Sequence, residues 1–369
     1  MSDLRTTPLH DRHAALGASF TDFGGWSMPV RYTSDLAEHH AVREAAGLFD
    51  ISHMAEFEVR GAGAGAILDH LLAGRISTMR VGKAKYSLLL SDAGGVIDDV
   101  IVYRRGEDDF LVISNAGNRA LVAAELGRYV GDATIDDVSD DYALLAVQGP
   151  RSRAIVEATA GIEGVTPALA DLGYYAWSAG MFEGAPLFIA RTGYTGEDGF
   201  ELLVPNAIAP ALWDALAAAG EPHGLVPAGL AARDTLRLEA GMPLHGHELS
   251  VDVLPAQAGL ARVVALDKDA FVGKEAVSAA SDDLPVLVGL VAEGRRAGRA
   301  GYAVFAEAEG GEAVGEITSG VLSPTLGHPI AMAFVPPALA EPGTELFIDV
   351  RGTRIPATVT ALPFYRRTA

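Results

Sequence analysis

The sequence predicts an α+β protein in which antiparallel sheets are combined with helices and the C-terminal part is a small β-barrel or sandwich. Apolar runs and turn residues alternate over residues 83–114, with no segment long enough for a crossover helix, which is typical of an antiparallel meander. Residues 228–242 form a strong helical segment that ends at a glycine. From Leu284 onward, short β-rich runs recur at a spacing of about 8–12 residues, as in small all-β domains.

The length and composition predict a compact protein of two or three domains. A chain of 369 residues is too long for one core, and 49% hydrophobic with 21% charged residues suits a globular protein. The change in composition predicts a domain boundary near residue 282. The formal net charge of −20 argues against a sequence-independent grip on nucleic acid.

The composition also narrows the kinds of site and location. The chain has no cysteine, which excludes disulfides, thiolate metal ligands and a cysteine nucleophile. No apolar run approaches the ~20 residues of a membrane span, and the N-terminal segment lacks the hydrophobic core of a signal peptide. We therefore expect a cytoplasmic protein with neither a membrane nor a nucleic-acid partner.

The first part of the chain alternates helix and strand signals. Ser34 is a good N-cap for a helix that Gly47 would close. Residues 55–61 alternate acidic and apolar positions, as in a half-exposed strand. The glycines of 61–66 imitate a dinucleotide fingerprint, but the acids in the preceding strand do not suit a strand buried on both faces. We expect a turn before an ordinary helix.

The hairpin over Lys83–Tyr103 carries two adjacent acids, Asp98 and Asp99, in an apolar strand. β-Strands disfavour Asp, and an unpaired buried carboxylate is costly. Side chains alternate faces along a strand, so Asp99 shares a face with Ile101 and Tyr103, and the two acids do not easily chelate one metal ion. Two interpretations stay open from the residues alone: a solvated edge strand, or a single carboxylate that faces a pocket.

A glycine-rich loop, RTGYTGEDGFE (191–201), lies between two predicted strands. Phosphate loops end in Lys-Ser/Thr or lead into a helix, whereas this loop offers three acids. An acidic loop suits a ligand rich in hydrogen-bond donors, for example a 2-amino-4-oxopyrimidine edge, because one carboxylate accepts two parallel N–H bonds. A plain hairpin without a ligand is the alternative.

The histidines do not predict a metal site. HGHE (245–248) lacks the HExxH spacing that puts two imidazoles on one face of a helix. His39 and His40 lie about 100° apart on a helix, so surface or supporting positions suit them better. Arginines such as Arg295 and Arg366 could dock an anionic tail or a partner, with solvated surface as the alternative.

Nine motifs occur in one order along nearly the whole chain and together resemble one protein family. They are DFGGWSMPVRY (22–32), HHAVREAAGLFDISHM (39–54), KYSLLLSDAGGVIDDVIVY (85–103), ALLAVQGP (143–150), RTGYTGEDGFEL (191–202), GLAARDTLRLEAGMPLHGHEL (229–249), FVGKEA (271–276), EITSGVLSPTLGHPIAMAFV (316–335) and PFYRR (363–367). The family is that of the aminomethyltransferases of the glycine cleavage system, the T-proteins. Several long motifs in register are far more specific than any single one.

The resemblance implies a fold and a division into domains. Members of the family have three domains in a cloverleaf around a central channel that binds tetrahydrofolate. Carried over to this chain, the first domain is discontinuous (1–53 and 141–281), the second is inserted (54–140), and the third is a C-terminal β-barrel (282–369). The last boundary agrees with the change in composition near residue 282.

The resemblance also implies a reaction. The methylene carbon of an aminomethyl group passes from the lipoyl arm of an H-protein to tetrahydrofolate. Ammonia is released, and 5,10-methylenetetrahydrofolate and the dihydrolipoyl arm are the other products. Tetrahydrofolate is therefore the expected co-substrate and the lipoylated H-protein the expected partner, with neither a metal nor a flavin.

The matching motifs imply the site residues. Asp99 matches the family's essential carboxylate near the reactive folate nitrogens, and we expect Asp99 rather than Asp98 to be catalytic. Tyr194 and Glu201 match pterin contacts. Two arginines match positions near the folate, and the remaining matched residues line the pocket around Asp99. These residues are Arg233 and Arg366, and Met54, Tyr86, Ile101, Tyr103 and Asn115.

Related functions are the alternatives. Folate-binding relatives that act in iron–sulfur maintenance carry a cysteine in a KGCYxGQE-like motif, whereas this chain reads GMPLHGHE (241–248). Folate-dependent demethylation by sarcosine- or dimethylglycine-oxidising flavoenzymes requires a fused FAD domain. A binding module without activity is a further possibility. Met242 and His245 stand where many relatives have an aromatic residue.

Overall fold

The structure, a computed structural model, describes residues 4–129 and 131–367. It combines helices with antiparallel sheets and a closed barrel, so the predicted fold class is confirmed. The described helices are α1 (His10–Ala15), α2 (Asp35–Glu44), α3 (Ala64–Leu71), α4 (Arg119–Gly127), α5 (Ser152–Ala158), α6 (Ala209–Gly220), α7 (Leu230–Glu239) and α8 (Lys274–Ser278). None of these described helices is long and apolar enough to cross a membrane.

The strands are short, and most of them belong to three sheets. They are β1 (Ser19–Phe23), β2 (Trp26–Arg31), β3 (Ala46–Asp50), β4 (Ala55–Arg60), β5 (Ala84–Leu90), β6 (Val96–Gly106), β7 (Asp109–Ser114), β8 (Thr134–Asp137), β9 (Tyr142–Gln148), β10 (Ile162–Thr166), β11 (Trp177–Phe182), β12 (Ala185–Ala190), β13 (Gly199–Pro205), β14 (Leu225–Pro227), β15 (Val286–Ala292), β16 (Ala303–Phe305), β17 (Ala313–Leu322), β18 (Pro329–Val335), β19 (Glu345–Asp349) and β20 (Arg354–Thr360). Strands β1 and β2 form a separate hairpin.

The chain divides into two compact units. The first contains the residues up to Leu71 together with Arg75–Ser87 and Val100–Asp234. The second contains Leu72–Gly74, Leu88–Asp99 and the residues from Thr235 onward. The hairpin of β5 and β6 therefore has its base in the first unit and its tip in the second. The division into three domains stays a prediction.

A seven-stranded sheet forms the larger part of the first unit, in the order β10-β11-β12-β13-β9-β3-β14. Its neighbouring strands are antiparallel except β3 and β14, which run parallel. Helices α5 and α6 contact each other and strands of this sheet. Fully buried side chains such as Leu145, Phe200 and Leu212 fill the core. This sheet positions the glycine-rich loop between β12 and β13.

A five-stranded sheet in the order β5-β6-β7-β4-β8 contains the predicted meander. Strands β5, β6 and β7 follow one another in sequence and in space, as expected for antiparallel neighbours joined by tight turns. In the turn SDAGG, the Gly94 N–H donates to the Ser91 carbonyl at 2.8 Å, and Gly94 has a φ of +84°. Glycine adopts this left-handed conformation without strain. Strand β6 lies between β5 and β7 in the sheet, and Asp98 is fully buried, so the interpretation as a solvated edge strand is wrong for Asp98.

The second unit contains a closed barrel in the order β15-β18-β17-β16-β19-β20. The barrel closes because β15 pairs with β18 on one side and with β20 on the other. Its interior is apolar, with Leu290, Ile317 and Leu346 fully buried. Of the two all-β architectures that the spacing of the strands allowed, the structure has the barrel.

The helix predicted after Ser34 begins where expected and ends early. The Ser34 hydroxyl oxygen accepts a hydrogen bond from the Ala37 N–H at 3.4 Å, as an N-cap does. The helix ends at Glu44, and Gly47 lies inside β3, opposite Gln148 of β9. The expectation that Gly47 closes the helix is wrong because pairing with β9 takes residues 46–50 into the sheet.

The strand with alternating acids, β4, is buried rather than half-exposed. Its residues 55–59 are all buried, including Glu56 at 0% and Glu58 at 5% exposure. The Glu58 carboxylate accepts hydrogen bonds from Arg105 at 2.7 Å and forms an ion pair with Arg60 at 2.5 Å. The prediction is wrong here because β4 lies between β7 and β8 and arginines neutralise one of its acids.

Candidate active site

The two acids of β6 lie in different environments. Asp98 is fully buried, whereas Asp99 is half-buried. Two residues further on, Ile101 is half-buried, and Tyr103 is fully buried. Because side chains alternate along a strand, Asp99, Ile101 and Tyr103 share one face of β6. Asp98 points to the other face, with the buried Val100 and Val102.

Cross-strand pairing extends this face over the neighbouring strands of the first unit. Ile101 lies opposite Ile113 of β7, and Ile113 lies opposite Glu56 of β4. Paired residues present their side chains on the same face. Two further half-buried residues stand at the ends of these strands, Asn115 directly after β7 and Met54 directly before β4. Alternation places both on the face of Ile101.

A hydrogen-bonded cluster connects this face to the glycine-rich loop. The Tyr103 hydroxyl lies 2.9 Å from Thr192 Oγ1 and 3.4 Å from Glu201 Oε2. The Thr192 hydroxyl donates to the same Glu201 oxygen. Thr192 and Tyr103 each have one hydroxyl hydrogen. Because Thr192 donates its hydrogen to Glu201, Tyr103 donates its own, and that hydrogen is shared between Thr192 Oγ1 at 2.9 Å and Glu201 Oε2 at 3.4 Å.

Opposing influences act on Glu201, which is only 9% exposed. Burial raises the pKa of its carboxyl group, while the hydrogen bond from Thr192, the charge of Arg233 and the hydrogen bond from Tyr103 oppose this rise. Burial and the Glu201 charge raise the pKa of the Tyr103 phenol well above its ordinary value. Tyr103 therefore stays a hydrogen-bond donor. Burial outweighs the three opposing contacts, so the pKa of Glu201 is raised overall, and the contacts limit this rise.

Arg233 and Tyr194 form the second part of this cluster. The Arg233 guanidinium lies over the Tyr194 ring, 4.8 Å from its centroid. Burial lowers the pKa of Arg233, whereas Tyr194 and Glu201 oppose this effect. An arginine against an aromatic face gains a cation–π contact and keeps N–H donors for a ligand. The structure thus brings together four of the predicted site residues: Tyr103, Tyr194, Glu201 and Arg233.

Sequence reasoning did not identify two residues of this neighbourhood, Thr192 and His53. Burial, followed by the charge of Arg233, lowers the pKa of His53 to about 4. Its ring meets the edge of Phe23 at 5.4 Å, and among the residues that the structure describes, its Nδ1 has no hydrogen-bond partner. Thr192 lies within the motif RTGYTGEDGFE, but only the glycines and acids of that motif suggested chemistry.

Three further predicted residues belong to other parts of the chain. Tyr86 is half-buried on β5 in the first unit. Arg366 is exposed and lies beyond β20 in the second unit. Asp99 lies on the segment of β6 that belongs to the second unit.

The histidines of the HGHE segment bind backbone carbonyls. His247 Nδ1 donates to the Thr318 carbonyl at 2.9 Å, and His245 Nε2 lies 3.3 Å from the Val96 carbonyl. Over residues 4–129 and 131–367, no group of three or more His, Cys, Asp or Glu residues could hold a metal ion.

Family comparisons cover the two parts of the chain. The family model described as the GCVT N-terminal domain matches residues 9–268. The family model described as the glycine cleavage T-protein C-terminal barrel domain matches residues 286–366, which include the barrel strands.

Similar proteins match over their full length. Aminomethyltransferases of Saccharopolyspora erythraea and Cutibacterium acnes are each 54% identical to the chain over 374 aligned residues, and each match covers 100% of both proteins. The crystal structure of the glycine cleavage system aminomethyltransferase T from Bartonella henselae has a TM-score of 0.90 and 36% sequence identity, covering 98% of each chain.

The chain therefore belongs to the glycine cleavage T-protein family. The resemblance that its motifs predicted is confirmed. The prediction of a transferase, and specifically of an aminomethyltransferase of the glycine cleavage system, is confirmed by the same full-length matches.

Proposed function

We propose that the chain transfers the methylene carbon of a lipoyl-bound aminomethyl group to tetrahydrofolate and that an H-protein carries the lipoyl arm. The observation that carries this proposal is the buried cluster of Glu201, Thr192 and Tyr103. A buried carboxylate whose orientation is set by two hydrogen bonds is suited to a planar ligand with parallel N–H donors.

Glu201 recognises the 2-amino-4-oxopyrimidine edge of the folate. Its Oε2 accepts from Thr192 and Tyr103. One ligand donor shares this oxygen, and the parallel donor bonds to Oε1. Arg233 and Tyr194 lie beside it and supply a guanidinium donor and an aromatic surface. Met54, Tyr86, Ile101 and Asn115 border the ligand, and the exposed Arg366 suits its anionic glutamate tail.

Asp99 acts on the reacting atoms. The S–CH2–NH2 carbon loses its bonds to sulfur and to the amine and gains bonds to two folate nitrogens. The two protons from those nitrogens end on the departing ammonia and the lipoyl thiol. The exchange needs a proton donor for the amine, a base for a folate nitrogen and an anion near the transient cation. One half-buried carboxylate can serve these needs in turn.

The decisive experiment measures ammonia release from aminomethylated H-protein with and without tetrahydrofolate. We expect release that depends on folate and a loss on the order of 10²–10⁴ in rate for Asp99→Asn, because a proton-transfer group is removed. Asp92→Asn in the exposed hairpin turn is the matched control and should retain the wild-type rate. Equal, mild losses in the two variants would overturn the role of Asp99, and release without folate would overturn the proposed reaction.

A further inference from the structure

The side chain of Gln148 lies in a slot between two glycines of the glycine-rich loop (191–201). Gln148 ends β9 and is 2% exposed. Its Nε2 donates to the Thr192 carbonyl at 3.1 Å, and its Oε1 accepts from the Thr195 hydroxyl at 3.0 Å. Both polar ends of one buried amide are therefore bonded to the same loop.

The slot explains why the loop has glycine at positions 193 and 199. A Cβ atom on Gly193 would lie 2.0 Å from Gln148 Oε1, and one on Gly199 would lie 2.3 Å from Gln148 Nε2. Neither glycine has a left-handed φ, so backbone conformation does not require glycine at either position. The two glycines are required by the Gln148 side chain, and an alanine at either position would displace it.

A second buried contact holds the other part of the loop. Arg43 of α2 forms an ion pair with Glu197 at 2.8 Å, and both side chains are only 5% exposed. The same guanidinium donates to the Thr195 carbonyl at 2.7 Å. Between this ion pair and Gln148, the loop carries Tyr194, whose ring lies under Arg233.

We propose that Gln148 is a positioning residue for tetrahydrofolate, an inference that rests on the proposed function of the Glu201 cluster. Gln148 fixes the backbone of Thr192, and the Thr192 hydroxyl in turn orients the Glu201 carboxylate. Because Gln148 acts through Thr192 on Glu201, which recognises the pterin edge, it controls folate affinity rather than the rate of the chemical step.

The test compares variants of Gln148 and its glycine neighbours by tetrahydrofolate titration and steady-state kinetics. Gln148→Met keeps the volume and removes both hydrogen bonds, and should raise the Kd and KM for tetrahydrofolate about tenfold with kcat changed less than about twofold. Gly193→Ala should give the same result, since its methyl group displaces the Gln148 side chain. Gly127→Ala, at an exposed helix position with no atom within 4 Å of the added Cβ, is the control and should bind as the wild type does.

A double variant keeps the inference testable if a single change disturbs folding. In Gln148→Ala/Gly193→Ala the new methyl group occupies vacated space, so folate affinity should equal that of Gln148→Ala alone. An unchanged Kd in Gln148→Met, a fall in kcat that matches the fall in kcat/KM, or additive losses in the double variant would each overturn the positioning role. If the wild-type protein does not bind tetrahydrofolate, the proposed function fails instead, so the two failures are distinguishable.

Discussion

Replacing Thr192 by valine is expected to weaken tetrahydrofolate binding roughly 10- to 100-fold. The substitution keeps the shape of a buried side chain and removes the hydroxyl that donates to Glu201 and contacts Tyr103. A hydrogen bond to a charged group contributes about 1.5–3 kcal/mol, and each 1.4 kcal/mol corresponds to about tenfold in Kd. Thr192→Ser keeps the hydroxyl and should recover most of the affinity.

The same change should shift the pH dependence of folate binding. The hydrogen bond from Thr192 lowers the pKa of Glu201, which burial raises. Only the carboxylate accepts the donor edge of the ligand, so affinity falls as pH decreases through the Glu201 pKa. Without the hydroxyl this pKa rises further, and the acid limb of the binding curve should move to higher pH.

The assay is anaerobic titration with tetrahydrofolate at a series of pH values, followed by protein fluorescence. Thr325→Val is the matched control, because the Thr325 hydroxyl donates to the buried carboxylate of Glu239 at 2.7 Å in the second unit. It should leave the folate titration unchanged. A wild-type Kd for Thr192→Val in protein with a wild-type Tm, or an acid limb that stays in place, would refute the reasoning.

Two predictions concern stability. Arg237→Met should lower the free energy of unfolding by about 3–5 kcal/mol in chemical denaturation, because it removes the cation that lies 2.9 Å from the buried carboxylate of Glu248. The double change Arg237→Met/Glu248→Leu should recover most of this loss. No recovery in the double variant would contradict this account. Burial raises the pKa of Glu56 well above its ordinary value. Protonated Glu56 therefore contributes to the stability of the folded state at low pH. This contribution is lost as pH rises from about 4.3, the unfolded-state pKa, through the folded-state pKa. Glu56→Gln stays neutral, so its gain in Tm over the wild type should increase with pH, and a gain independent of pH would contradict the prediction.

Signals within short stretches of sequence correctly predicted those elements of the fold that depend on neighbouring residues. The Ser34 cap, the SDAGG turn and the regular spacing of the C-terminal strands act over a few residues, and all three were confirmed. The end of α2 was not predictable in this way. Gly47 looks like a helix stop, yet it pairs with Gln148, about a hundred positions away in the chain, and this tertiary pairing overrides the local preference.

The sequence predicted which types of residue the candidate site contains better than it predicted the contacts between them. The acidic glycine loop indicated a donor-rich ligand, the acids in an apolar strand indicated a carboxylate that faces a pocket, and family motifs supplied the individual residues. Thr192 and Gln148 escaped notice because their roles depend on partners that only the folded sheet brings close. Glu201 lies on β13, Tyr103 on β6 and Gln148 on β9, and nothing in their spacing along the chain indicates that they meet around Thr192.

The glycines of the glycine-rich loop (191–201) have a structural role that differs from the usual one. Closely spaced glycines usually suggest a backbone that must approach a phosphate or adopt a left-handed conformation. Here Gly193 and Gly199 make room for a buried amide, and that amide holds the loop so that a threonine hydroxyl can orient a carboxylate. The glycines therefore support the proposed recognition site around Glu201, which accounts for a glycine-rich loop that carries acids where a phosphate loop carries lysine.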